Sequence, residues 1–147
     1  MIMNKLKVAF VCTHNSCRSI MAEAWAKHLA SDVIDAYSAG TEVYPGPKPL
    51  AVEVMEDAGV NMSHAESKLL KDMPNSFDIL ITMGCGVECP FVPCKYREDW
   101  GLDDPSGGPK SGFERTRDII KEKVLELVEK INSNTLELDK IDFNLSE

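Results

Sequence analysis

The run Leu6-Lys7-Val8-Ala9-Phe10-Val11 constrains the fold of this chain more than any other stretch. It is short, apolar and β-branched, without the alternation expected of a strand that faces water on one side. It predicts a parallel strand buried on both faces, and parallel strands need long crossovers, usually helical. Met21, Trp25, His28 and Leu29 recur at helical spacing and predict a helix over Ser19 to Ala30. Val33 to Ser38 reads as a second strand, closed by Ala39-Gly40. Glu42 to Pro49 holds three prolines and Gly46, which mark a loop. Ala51, Val54, Met55 and Ala58 form one apolar helix face, with Gly59 as the C-cap.

Asp78 to Met83 is the third strand, and a short fourth is expected near Tyr96 to Asp99. Between and around them, Gly84 to Lys110 is rich in Gly, Pro and Cys. Ile120, Val124, Leu127, Val128 and Ile131 make a long stripe, so Ser111 to Ile131 reads as a terminal helix. Strands alternating with helices give the α/β class: a small, doubly wound, Rossmann-like parallel sheet of four strands with helices on both faces. The length of 147 residues suits one domain, expected over residues 1–132. Residues 133–147 form an acidic, weakly patterned tail that is expected to be flexible.

Charge narrows the function classes. Lys plus Arg number 16 against 24 Asp plus Glu, a formal net charge of −8. Such a chain repels nucleic acid and anionic membranes, so an anionic substrate must be captured by a local device. No apolar run reaches the roughly 18 residues of a membrane span, and the N-terminus does not read as a signal peptide. The five cysteines are odd in number, which argues against a disulfide framework and for catalytic, redox or metal roles. A cytoplasmic location is expected.

The local device is Cys12-Thr13-His14-Asn15-Ser16-Cys17-Arg18-Ser19, which follows the first strand and opens a helix. Such a junction turns successive backbone N–H groups and the positive helix end into one concavity suited to a tetrahedral oxyanion. Donors that hold an oxyanion also favour the thiolate of a Cys at the rim. Arg18 can meet two oxygens with its planar fork, and Ser19 can donate to the sulfur. Farther on, Asp103 and Asp104 precede Pro105 on a loop at the strands' carboxyl ends, where a carboxyl can reach a leaving oxygen. Taken alone, that pair would be ordinary turn chemistry.

Together, the Cys12 to Ser19 loop and Asp104-Pro105 resemble the low-molecular-weight protein tyrosine phosphatase superfamily. Within it, Cys17, Ser38-Ala39-Gly40, Thr82-Met83, Cys89-Pro90 and Trp100 to Gly107 are similar to the thioredoxin-coupled arsenate reductases. The likeness runs from about Lys7 to Ile131. It implies that Cys12 attacks arsenate, that Arg18 and Ser19 assist, that Asn15 shapes the pocket, and that Asp104 is the general acid. It also implies thioredoxin as the electron source, with no bound cofactor. A monomer is expected.

A phosphatase needs one nucleophilic Cys, whereas a reductase needs thiols that accept two oxidising equivalents. A second thiolate can attack the Cys12 sulfur while the electrons leave with arsenic as arsenite, and a third can carry the disulfide onward. Cys85, Cys89 and Cys94 lie in the Gly/Pro-rich stretch after the third strand, with Gly84 and Gly86 flanking Cys85. By resemblance, Cys85 attacks and Cys89 resolves. Only three residues separate these two, a shorter insert than the best-known one in the family. The shared Cys-Pro step favours Cys89, and Cys94 is a further candidate for the resolving thiol. Cys17 is expected to pack in the loop.

Two ion readings follow. Cys12, Cys17, Cys85 and Cys89 could supply four thiolates to zinc, but Arg18 and a helix N-terminus would then face a cation. No metal is expected. Some relatives hold potassium with an Asn, a Glu, a Ser and an Asp. Asn15, Glu23 and Ser38 match, and Lys68 stands where the Asp is expected. An ammonium there would pair with Glu23 and make the ion unnecessary. The competing functions are a tyrosine phosphatase, for which the Cys-rich loop stands where aromatic walls would grip the ring, and a thiol-based sensor. In a sensor Arg18, Ser19 and Asp104 would be idle.

Overall fold

The computed structural model describes residues 5–12, 17–40, 46–63, 65–74, 76–83 and 94–133. Four parallel strands, β1 (Leu6–Cys12), β2 (Ile34–Gly40), β3 (Phe77–Thr82) and β4 (Cys94–Asp99), lie in the order β2-β1-β3-β4. Helices α1 (Arg18–Ala30), α2 (Pro49–Asp57) and α3 (Lys110–Asn132) complete the α/β alternation expected from the sequence. The register pairs Cys12 with Gly40, Val11 with Thr82 and Thr82 with Asp99, so the carboxyl ends of all four strands form one rim. The strand order reverses between β1 and β3, which makes the rim above them the switch point where α/β sheets bind ligands.

The helices cover the two faces unequally. Val8, Phe10, Ile79 and Ile81 share a core with residues of α1, α2 and α3. The opposite face, with Ala9, Val11, Phe77 and Leu80, packs against Tyr37, Met73, Cys94 and Leu70 of a single 3₁₀ turn. Helix α1 is buried nearly all round, including Ile20, Met21, Ala22, Trp25 and Ala26. It therefore has no clean apolar stripe, and His28, placed in the stripe by spacing, is exposed. Ala58 is also exposed: it is the C-cap of α2 rather than part of its buried face. Gly59 follows at φ +87, a backbone region that disfavours residues with a Cβ, and its N–H closes on the Glu56 carbonyl at 2.9 Å.

Polar contacts then lock the helices together. The Trp25 indole donates to the Arg117 carbonyl (3.1 Å), and Arg117 donates to the Val54 carbonyl (3.0 Å). Lys110, at the start of α3, meets Glu53 at 2.6 Å and Asp57 at 3.0 Å on α2. Helix α3 ends at Asn132, and residues 134–147 lie outside the described residues. No helix among the described residues is long and apolar enough to cross a membrane.

Candidate active site

Cys12 ends β1 and Ser19 lies in the first turn of α1, which brings the Cys12 sulfur within 2.9 Å of the Ser19 hydroxyl. Once Cys12 ionises, that hydroxyl must be the donor. Cys17, the N-cap of α1, makes no side-chain cap, and the first turn carries no acidic residue. The positive end of α1 is thus left without a competing carboxylate of its own.

Arg18 is 6% exposed, so its guanidinium must be satisfied by protein or ligand. Nη1 donates to the Met83 carbonyl at 3.0 Å and to the Leu102 carbonyl at 2.9 Å. Those two carbonyls fix the plane of the fork, and among the described residues no hydrogen bond takes Nε or Nη2, the donors that would face an oxyanion. Nη2 is 3.7 Å from Oδ2 of Asp104, whose side chain is about half exposed.

Asp104 arrives on the loop that follows β4. Trp100 N–H bonds the Thr82 carbonyl (2.8 Å), Gly101 turns at φ +59, and Leu102 N–H bonds the Met83 carbonyl (3.2 Å). The other Asp104 oxygen accepts the Ser106 N–H at 3.0 Å, an Asx turn. Partial burial pushes the Asp104 carboxyl up. The Ser106 amide and hydroxyl, with the charges of Arg18 and Lys48, outweigh that and hold it below its ordinary value. Asp104 therefore carries its charge at neutral pH while the pocket lacks an anion. An anion beside Arg18 would offset that charge and move the Asp104 carboxyl upward. Asp103 is exposed as well, but among the described residues it makes no ion pair with Arg18.

Behind this wall, still on α1, Glu23 is buried. Ser38 of β2 donates a short hydrogen bond to Oε1, and Lys68 Nζ lies 3.3 Å from the same oxygen. Lys27, one helical turn on, reaches Oε2 at 2.9 Å. Lys68 belongs to a segment pinned to the sheet rim, since its carbonyl accepts Gly40 N–H at 2.8 Å. The Glu23–Lys68 pairing was legible in the sequence. Lys27 was missed, although its i,i+4 spacing from Glu23 was the available signal.

Cys17 is 3% exposed, and burial, followed by the charge of Asp104, pushes its thiol up to about 12. It is a packed neutral thiol. Cys94 opens β4 opposite Phe77, five residues before Thr82 along β3. That is roughly 16 Å of strand from the rim. Burial raises the Cys94 thiol as well. The structure thus separates Cys94 from the Cys12 pocket. Thr13, His14, Asn15 and Ser16 of the anion loop, and Cys85 and Cys89, lie outside the described residues. Among the described residues no group of His, Cys, Asp and Glu could hold a metal ion.

A thiol at a parallel-sheet switch point, in contact with Ser19 and close in sequence to a buried arginine that faces a loop carboxylate, is an arrangement suited to an enzyme that handles oxyanions. The chain belongs to the low molecular weight phosphotyrosine protein phosphatase family, whose profile matches residues 7–137. Arsenate reductase 2 of Staphylococcus haemolyticus is 42% identical over 123 residues, covering 81% of this chain and 93% of that protein. A solved structure of an arsenate reductase in the phosphate binding state superposes with a TM-score of 0.78 at 38% identity, covering 86% of this chain and 98% of its own. A thioredoxin-dependent arsenate reductase of Corynebacterium glutamicum gives 0.74 at 30% identity, covering 91% of this chain and 65% of its own.

Proposed function

We propose that this chain is an arsenate reductase that converts arsenate to arsenite with electrons from thioredoxin. The observation that carries the reading is the Cys12–Ser19 contact beside Arg18 and Asp104, in a chain whose relatives are arsenate reductases. Arsenate enters as a dianion on Arg18 and the loop amides of Thr13 to Cys17. The Cys12 thiolate forms a bond to arsenic, and Asp104 gives its proton to the departing oxygen, which leaves as water. The Cys85 thiolate then attacks the Cys12 sulfur. The S–As bond breaks, its electron pair stays with arsenic, and arsenite departs from a Cys12–Cys85 disulfide. Cys89 attacks Cys85, frees Cys12 and leaves a Cys85–Cys89 disulfide, which the thioredoxin dithiol reduces.

The reaction requires no bound cofactor. Lys68, 3.3 Å from Glu23, supplies the positive charge that a potassium ion would otherwise bring to the back of the anion loop. The net charge of −8 disfavours nucleic acid as a partner and leaves arsenate capture to the local device around Arg18; the protein acts in the cytoplasm, as a monomer. A second reading, phosphate-ester hydrolysis, draws on the family match and needs only Cys12, Arg18 and Asp104.

Oxidation of NADPH by thioredoxin reductase and thioredoxin in the presence of arsenate, run beside a phosphate-ester assay, separates the readings. The reductase reading expects arsenate-dependent turnover that Cys85→Ser abolishes while any ester hydrolysis survives. Repeated arsenate turnover by Cys85→Ser would overturn the relay as assigned.

A further inference from the structure

The loop that brings Asp104 to Arg18 has a support on the far side of the strand end. Tyr96, Glu98 and Trp100 alternate along β4 and its extension, so their side chains share one face. Glu98 stands between the two aromatics and accepts from both. The Tyr96 hydroxyl donates to Oε1 at 2.7 Å, and the Trp100 indole N–H donates to Oε2 at 3.1 Å. Each carboxylate oxygen thus holds one ring. The Trp100 ring also packs on Phe10 of β1, with centroids 5.6 Å apart, and is only 7% exposed.

This support leads into the pocket in short steps. Trp100 is tied by its backbone to Thr82, and two residues on, Leu102 presents the carbonyl that Arg18 grips. Two residues further is Asp104. Displacing the Trp100 ring therefore moves the Leu102 carbonyl and the Asp104 carboxyl together. Glu98 itself touches neither Arg18 nor Asp104 in any described contact.

We infer that Glu98 is a positioning residue for the proton-donor loop: by clamping Tyr96 and Trp100 it sets the placement of Asp104 over the Cys12 pocket. The inference rests on the reading of Asp104 as the proton donor. Gln at position 98 keeps the size but loses the charge, and its Nε2 can meet the Tyr96 oxygen only as a donor, so the clamp is weakened rather than removed. A misplacement of about 1 Å in a catalytic group costs up to ~10²-fold, and a partial loss of the clamp corresponds to about tenfold in kcat.

The test is a double-mutant cycle in the full chain, with the Asp104 carboxyl followed by NMR titration. Glu98→Gln is expected to lower kcat for arsenate reduction about tenfold in the unaltered background and to cost almost nothing once Asp104→Asn is present. Tyr96→Phe, which keeps the ring and removes only one donor, should reproduce the pattern in smaller measure if Glu98→Gln folds poorly. In the titration, Glu98→Gln should move the Asp104 midpoint upward, toward the ordinary carboxyl value, as the Arg18 contact loosens. Equal losses in both backgrounds, or an unmoved midpoint, would overturn the assignment, because a purely structural role lowers all rates alike. If the unaltered protein reduces no arsenate, the functional reading falls, and the titration alone decides the positioning claim.

Discussion

Arg18 and Glu23 are charged, buried and on the same two turns of α1, yet they are held in opposite styles. Around Glu23 both carboxylate oxygens are closed by short contacts to Ser38, Lys68 and Lys27. Around Arg18 one nitrogen is fixed by two carbonyls, while the acidic partner stands off at 3.7 Å and is half exposed. A satisfied cluster resists change, and an incompletely satisfied one invites a ligand. The rear of the pocket is built to stay and the front to exchange partners. Substitutions in front should therefore change rates with little effect on stability, and those behind should do the reverse.

The largest effect belongs to the front. Cys12→Ser should reduce both arsenate turnover and any ester hydrolysis to the uncatalysed background, with an unchanged melting temperature. Next, Asp104→Asn should lower kcat by ~10²–10⁴-fold, whereas Asp103→Asn should be nearly silent. The sign of the pH dependence follows from the need for a proton. Rates fall as pH rises through the value of Asp104 in the liganded enzyme, and Asp104→Asn should flatten that limb in a kcat profile. Stability runs the other way: the depressed carboxyl of free Asp104 contributes at neutral pH, and that contribution is lost as pH falls through its folded value. Equal losses at Asp103 and Asp104 would break the contrast between acid and turn residue.

At the rear, Glu23→Ala leaves two lysines and a buried hydroxyl without their shared acceptor. It should cost about 1–3 kcal/mol in denaturant unfolding. Lys68→Ala leaves Lys27 and Ser38 in place and should cost about 1 kcal/mol or less. The unaltered protein should be indifferent to exchanging sodium for potassium at constant ionic strength; marked potassium activation would return the ion to the site. The smallest effect is expected far from both clusters: Cys94→Ser should leave arsenate turnover unchanged, because Cys94 lies at the opposite end of the sheet.

Much of this was legible in the residues. The apolar runs of β1 and β3 announce buried strands, and the stripe through Ile120, Val124 and Leu127 announces α3. Less was legible where burial or length defeats periodicity. Helix α1 is enclosed on all sides, so spacing could not tell His28 outside from Met21 inside. The 3₁₀ turn of Leu70–Asp72 is too short to leave a pattern. Strand β4 begins at Cys94, two residues before the sequence suggested, because it is half-buried and alternates with charged Lys95 and Arg97. In the site, Cys12, Arg18 and Ser19 stand out by type and order, whereas Asp104 is set apart from Asp103 only by the family resemblance. The Glu98 clamp could not, since a carboxylate on a half-exposed strand resembles any solvated charge.

The guanidinium of Arg18 rests on the carbonyls of Met83 and Leu102, and a carbonyl is present whatever side chain the residue bears. Positions 83 and 102 are therefore free to drift among apolar residues that fill the same space, with the arginine's mooring intact. Two consequences follow for anyone comparing or redesigning such chains. Variation at these positions says nothing against a shared pocket, and an arginine transplanted onto another scaffold without this backbone path would have the right charge and the wrong aim.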